Sequence, residues 1–275
     1  MFKNIAFMFL CSAQLAPLYG AENEQKTFPA AGLTGMYIAA ETGAIGVEGS
    51  AKGDVQVEIT ENDPEKCLLT MGAEGGRLVL KAEGRSVTQA KGWRNIFGVI
   101  KTDLVRANCP AGFKVSAPSS LGLEAKSGTG AVSVTGRDAD VSLENGTGNI
   151  TLSKVSGNID VNSGTGDLTG EVCAKRLTVK GGTGAVELKG LCGAAQVETG
   201  TGAVDLRWAR LPAAGEVSAV TGTSAISLVF PRKAKLSANL VSGTGSISNE
   251  FENSGVFRVS AQSGTGSISV KKAAD

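Results

Sequence analysis

A Gly-Thr-Gly or Gly-Thr-Ser triplet returns eight times in the second half of the chain, and its spacing constrains the fold more than any other feature. The first glycines are Gly128, Gly146, Gly164, Gly182, Gly200, Gly222, Gly243 and Gly264, separated by 18, 18, 18, 18, 22, 21 and 21 residues. A fixed period of about 20 residues marks a solenoid, in which each repeat is one coil that buries its apolar face only against its neighbours.

The copies agree beyond the triplet. Two residues past each third triplet position stand Val132, Ile150, Leu168, Val186, Val204, Ile226, Ile247 and Ile268, all apolar. Two residues further come Val134, Leu152, Leu188, Leu206, Leu228 and Val270, with Gly170 and Asn249 as exceptions, and the residues between are polar. Apolar residues also recur five and three places before each first glycine, as at Leu123 and Ala125 or Ile159 and Val161. Period-two alternation on both sides of the triplet predicts strand, loop, strand and a Gly-Thr-Gly corner in every coil. The register before the triplet survives the longer steps, so the added residues belong in the loop between the two strands, on one edge of the stack. Helices fit poorly, because apolar residues at i, i+3, i+4 and i+7 are scarce and interior glycines weaken a helix by roughly 1 kcal/mol each. The fold class expected is all-β, a single-chain parallel β-solenoid with coils of about 18 to 22 residues.

Within this scheme the first glycine is expected to supply a positive φ at the corner. The threonines are expected to stack as a ladder, with hydroxyls bonding along the axis. Residues 116–275 form the regular part. Residues 21–115 carry fainter versions of the pattern, "ETGAIGVEG", "DVQVEIT" and "GGRLVLKAEG", read as irregular early coils with a cap around "AKGWRNIFGVIKTDL" at 90–104. Residues 1–20 have the charge, apolar run and small-residue end of a secretory leader, which places the mature protein in the periplasm, on the cell surface or outside the cell.

Export permits disulfides, and Cys67, Cys109, Cys173 and Cys192 follow the leader. Three connectivities are open, beside a reading of all four as buried thiols. Cys67 with Cys109 and Cys173 with Cys192 is the preferred pairing. Cys173 lies nine residues after Gly164 and Cys192 ten after Gly182, so they fall at nearly the same place on adjacent coils if the loops shift by one residue.

Composition narrows the chemistry. The chain has no histidine, which removes the usual general base and the commonest metal ligand. Lys plus Arg (27) nearly balances Asp plus Glu (26), so no global field draws the protein to nucleic acid. No cofactor or metal site is expected. Calcium would need more carboxylates than the repeats offer, with Asp167 standing alone at its position. Glu187 and Asp205 interrupt the Thr/Ser/Ala face that an ice-binding surface would need. Phosphate binding would need a glycine-rich turn that opens a helix with a lysine behind it, and no copy has one.

The enlarged loops are the candidate binding site. They bring Arg207, Trp208 and Arg210, then Arg232, Lys233 and Lys235, to the same edge, where an aromatic beside cations can hold an acidic envelope polysaccharide or a surface protein. The competing structural reading has Trp208 and Phe251 covering the edge while the cations are solvated. No catalytic residues are assigned. A polysaccharide lyase or hydrolase is the rival class, and for it Asp167, Glu187 and Asp205 are the carboxylates near one face.

The exported character and the segments "SGTGAVSV", "NGTGNITL" and "SGTGDLTG" resemble a bacterial family of candidate adhesins, the auto-transporter adhesin head-like domains. The similarity is close over about 115–270 and loose before that. It implies a right-handed single-chain parallel β-helix, usually exported, with no catalytic signature to carry over. The expected function is a non-catalytic envelope or surface module that uses its solenoid for binding or structure.

Overall fold

A computed structural model of the chain describes residues 24–90 and 102–274. The expected leader and most of the expected cap at 90–104 lie outside the described residues. A hairpin of Ser86–Ala90 with Thr102–Arg106 flanks the cap segment. The other 21 described strands join in one sheet that coils on itself.

The coils form two piles of strands with the core between them. In the repeat region the strand before each triplet pairs in parallel with its counterpart one coil on. Leu123 lies opposite Val141, Val141 opposite Ile159, Ile159 opposite Leu177 and Leu177 opposite Ala195. The strand after the triplet does the same, with Val132, Ile150, Leu168, Val186 and Val204 in register. These inward positions are buried, while their polar neighbours face outward as period-two alternation requires. Gly170, which breaks the apolar series, sits at φ 157° with an ideal Cβ position 2.8 Å from the Leu152 carbonyl carbon, so the backbone itself fills that place.

Both ends of the stack depart from chain order. At the C-terminal end Glu216–Thr223 pairs with Phe257–Thr265, which in turn pairs with Leu236–Thr244. On the other pile Ile226–Phe230 pairs with Ile268–Lys272, which pairs with Ile247–Asn249. The last coil of the chain is therefore inserted between the two coils that precede it. This order explains two of the longer steps, because the 231–235 loop must climb past one level and the 250–256 loop must descend one. At the N-terminal end the coil made of Gly35–Ala40 and Ile45–Ser50 lies between the Gly128 coil and an outer coil of Arg77–Gly84 and Gly112–Pro118.

That outer coil is closed by antiparallel strands, a departure from the all-parallel expectation. Cys67–Glu74 returns along Arg77–Gly84 through Gly75 and Gly76, whose φ values of 57° and 76° suit a two-residue hairpin. Asp54–Thr60 lies antiparallel on Gly112–Pro118, and Glu24–Pro29 lies antiparallel on Asp54–Thr60.

Disulfides join Cys67 to Cys109 and Cys173 to Cys192, each with Cα atoms 4.9 Å apart. The one-residue offset between Cys173 and Cys192 is absorbed by a register shift between Leu188 and Leu191, with Gly190 at φ 80°.

The corner works differently from the expectation. None of the eight first glycines has a positive φ; the positive values fall on third-position glycines such as Gly148, Gly166, Gly184, Gly245 and Gly266. The first glycine is needed because the coils touch there. A Cβ on Gly146 would lie 2.5 Å from the carbonyl oxygen of Gly128, one on Gly164 the same distance from that of Gly146, and the contact repeats along the column. Hydrogen bonds at the corner run from glycine N–H to threonine carbonyl, as from Gly148 to Thr165 (2.8 Å) and from Gly166 to Thr183 (2.9 Å), while the threonine side chains stand exposed.

Candidate functional site

The structure separates the residues that the enlarged loops bring together in sequence. Trp208 is removed from the surface at 4 % exposure, which corrects its assignment as a ligand-binding aromatic. The cause is the alternation itself, since Val204, Leu206 and Trp208 share the inward parity of their strand. The indole stacks on Phe230 (4.5 Å between centroids, 22° between planes) and donates from Nε1 to the Gly193 carbonyl at 3.0 Å. Phe230 meets Phe251 and Phe257 edge-on at 6.2 and 6.3 Å, so four rings form the base under the loops.

The cations divide into three settings. Arg207 grips Asp205 with two hydrogen bonds of 3.0 and 3.2 Å, and the Asp205 carboxylate raises the pKa of its guanidinium. Arg232 donates from Nε to the Ala273 carbonyl at 3.0 Å, tying the 231–235 loop to the end of the inserted coil. Lys233 and Lys235 are exposed beside a cleft of about 330 Å³ floored by Leu211, Pro212 and Phe257. Arg210 lines the next cleft, of about 350 Å³, with Pro212 and the Cys173–Cys192 disulfide, and its Nη2 lies 3.6 Å from Cys173 Sγ. Arg210, Lys233 and Lys235 thus border two adjoining clefts over apolar floors, an arrangement suited to anionic ligands with apolar faces.

The carboxylates considered for sugar chemistry are also placed. Asp167 accepts the Ala185 N–H at 2.8 Å, a strap from one coil to the next, and Asn149 accepts the Asp167 N–H in the same way. Glu187 and Asp205 are register partners on adjacent coils, in one column. Among the described residues no group of three or more Cys, Asp or Glu is placed to hold a metal ion.

Two features escaped the sequence reading. The residue before each first glycine continues the inward alternation but is polar: Ser127, Asn145, Ser163, Thr199, Thr221 and Ser263 are buried within the corner. Several satisfy corner carbonyls; Asn145 Nδ2 donates to Gly148 at 2.8 Å, Thr221 to Gly202 at 3.1 Å and Ser263 to Ser224 at 2.9 Å. The signal was present, since seven of the eight copies carry Ser, Thr or Asn there. The second feature is a cleft of about 620 Å³ on the outer face near the N-terminal end, where Lys26, Glu48, Glu58 and Lys114 meet from four strands, with Lys114 arriving from more than 50 residues beyond the others. Only the non-sequential stacking brings them together.

The family described as Toastrack DUF4097 matches the chain over residues 35–274. Among solved structures, a candidate adhesin from Parabacteroides distasonis ATCC 8503 is 12 % identical, with 92 % of this chain and 97 % of that one covered and a TM-score of 0.46. A candidate adhesin from Bacteroides fragilis NCTC 9343 is 15 % identical, with coverage of 92 % and 98 % and a TM-score of 0.44. No curated protein matches the chain.

Proposed function

Since the chain belongs to the Toastrack DUF4097 family, we propose that it is an exported, non-catalytic module that binds an acidic envelope polysaccharide or a surface protein along its loop edge. The periplasm, the cell surface and the extracellular space all fit this reading, as does a right-handed coil. No helix among the described residues is long and apolar enough to cross a membrane. The observation that carries the proposal is the placement of Arg210, Lys233 and Lys235 around two clefts above a base of stacked rings. A rigid base reduces the ordering that binding demands of the side chains above it. The test is binding of the protein to a glycan array and to isolated envelope fractions, beside an Arg210→Ala, Lys233→Ala, Lys235→Ala variant. Binding by the parent that the folded variant loses supports the site; equal binding, or none by either protein, removes it.

One observation favours a second reading. Glu187 and Asp205 stand side by side on neighbouring coils with Arg207 against them, a carboxylate pair that a polysaccharide-active enzyme can use. Turnover of an acidic glycan that disappears in Asp205→Ala would establish it over the binding module.

A further inference from the structure

The two ends of the stack are finished in different ways. At the N-terminal end one antiparallel strand is added to the first pile and two to the second, giving a stepped edge. Its last strand, Glu24–Pro29, carries Glu24 and Lys26 in an ion pair of 2.9 Å and ends in proline, devices that blunt an edge. At the C-terminal end Leu236–Thr244 and Ile247–Asn249 each join the sheet on one side. On the other side the returning loop covers only the start of the first strand, where Asn253 is bridged to Leu236 and its side chain bonds the N–H and the carbonyl of Ala238, and among the described residues no strand covers the remainder.

This open edge also lacks chemical protection. The segment "LSANLVSGTGSISN", residues 236–249, has no charged residue and no proline. Ile247 is 48 % exposed although its register partner one level inward, Ile268, is 0 % exposed, and Val241 is 51 % exposed on the outer face. Leu240 is half-buried, whereas its partner Ala261 is fully buried. Past Ala238 no described strand continues the stack, and Leu240, Val241 and Ile247 are left without a layer beyond them.

We infer that this end pairs with the same end of a second copy, the two stacks meeting tail to tail with the uncovered 240–244 stretches antiparallel across a two-fold axis. Three observations select a second copy as the occupant. A two-fold axis sets each edge against its own sequence, where charges would repel, and residues 236–249 have none. The stepped, charged N-terminal end does not match the flush C-terminal one, so the pairing closes as a dimer rather than continuing as a filament. The terminal coil offers about 20 residues, the lower bound of what a stable interface uses on each side.

The test is the solution mass of the full chain across a concentration series reaching about 100 µM, where a micromolar interface is saturated. Sedimentation should give twice the monomer mass for the parent. Val241→Lys with Ile247→Lys should give the monomer mass while keeping the parent's circular dichroism, and its melting temperature should not depend on protein concentration as the parent's does. Val241→Cys alone should crosslink to itself on oxidation, and Thr27→Cys at the opposite end should not; this pair of variants decides the matter if the double lysine variant fails to fold. A monomeric parent, a dimer that the lysines leave intact, a mass that grows without limit, or equal crosslinking at both ends would each overturn the inference.

Discussion

Trp208 lies over Phe230 with ring centroids 4.5 Å apart, on two adjacent coils whose outgoing loops carry the cations of the candidate site. The aromatic therefore supports the loop edge from within. Trp208→Ala should lower stability by about 3–5 kcal/mol, the range for emptying a large core site. Lys233→Ala should stay within about 0.5 kcal/mol of the parent, as surface substitutions do. Chemical denaturation of the two variants checks the contrast, and a mild Trp208→Ala would place the ring outside the core.

The corner makes a prediction that dihedral angles alone would miss. Gly164 has no positive φ, yet a Cβ there would press on the Gly146 carbonyl oxygen at 2.5 Å. Gly164→Ala should destabilise by about 1–3 kcal/mol through forced separation of two coils. At the third triplet position Ser224 already stands at φ 158°, so Ser224→Gly should change stability far less. Melting temperatures of the two variants test the order.

Gly181 interrupts the buried polar column between Ser163 and Thr199, and both of those hydroxyl oxygens are buried without a hydrogen-bond partner. A Cβ at Gly181 would have Thr199 Oγ1 as its nearest neighbour at 3.5 Å, an ordinary contact, and the backbone needs no positive φ. Gly181→Ser should therefore stabilise the protein by about 1 kcal/mol, from the reduced freedom of the unfolded chain and a new hydrogen bond. That corresponds to a rise in melting temperature of about 2–4 °C. A fall would mean that the column has no room for the hydroxyl.

Asp140 accepts the backbone N–H of Asn158 on the next coil at 2.9 Å, and this bond holds its carboxyl below the usual carboxylate range. A carboxylate with a lowered folded-state pKa contributes stability that is present above its unfolded value of about 3.9 and is lost as pH falls through the folded value. Asp140→Asn keeps an acceptor oxygen and removes the titration. Its melting temperature should decline less steeply than the parent's between about pH 4 and pH 2. Parallel curves would show that the bond does not depend on the charge.

The repeat made the coil legible because its period, its alternation and the register before each triplet are all local to one copy. The same local signals placed the longer loops on one edge, but the alternation was followed only to Leu206, and Trp208, one step further with the same inward parity, was assigned to the surface with its neighbouring cations. The order of levels at the two ends was hidden, because strands at Phe257–Thr265 and Leu236–Thr244 have the same pattern and either can occupy the inner level. In hindsight Asn249 was the clue: a polar residue at an otherwise apolar position fits only a coil with no neighbour beyond it. Arg137 was similarly opaque. Its guanidinium is fully buried, donates to the carbonyls of Ala117 and Leu121, and has its pKa lowered by burial, yet its sequence context reads as a turn.

Because the coil at 35–50 and the last coil of the chain are both sandwiched, shortening the protein beyond the edge strand Glu24–Pro29 at one end, or into the final coil at the other, would excise an inner level and leave the outer one stranded. Lengthening is restricted in the same way. A repeat appended after residue 270 would emerge from the middle of the stack with no level to occupy, whereas an 18-residue unit duplicated between Gly128 and Gly200 would slip into the uniform region and push the two finished ends apart. The length such a stack can change freely is the separation between its ends, in steps of one coil from the centre.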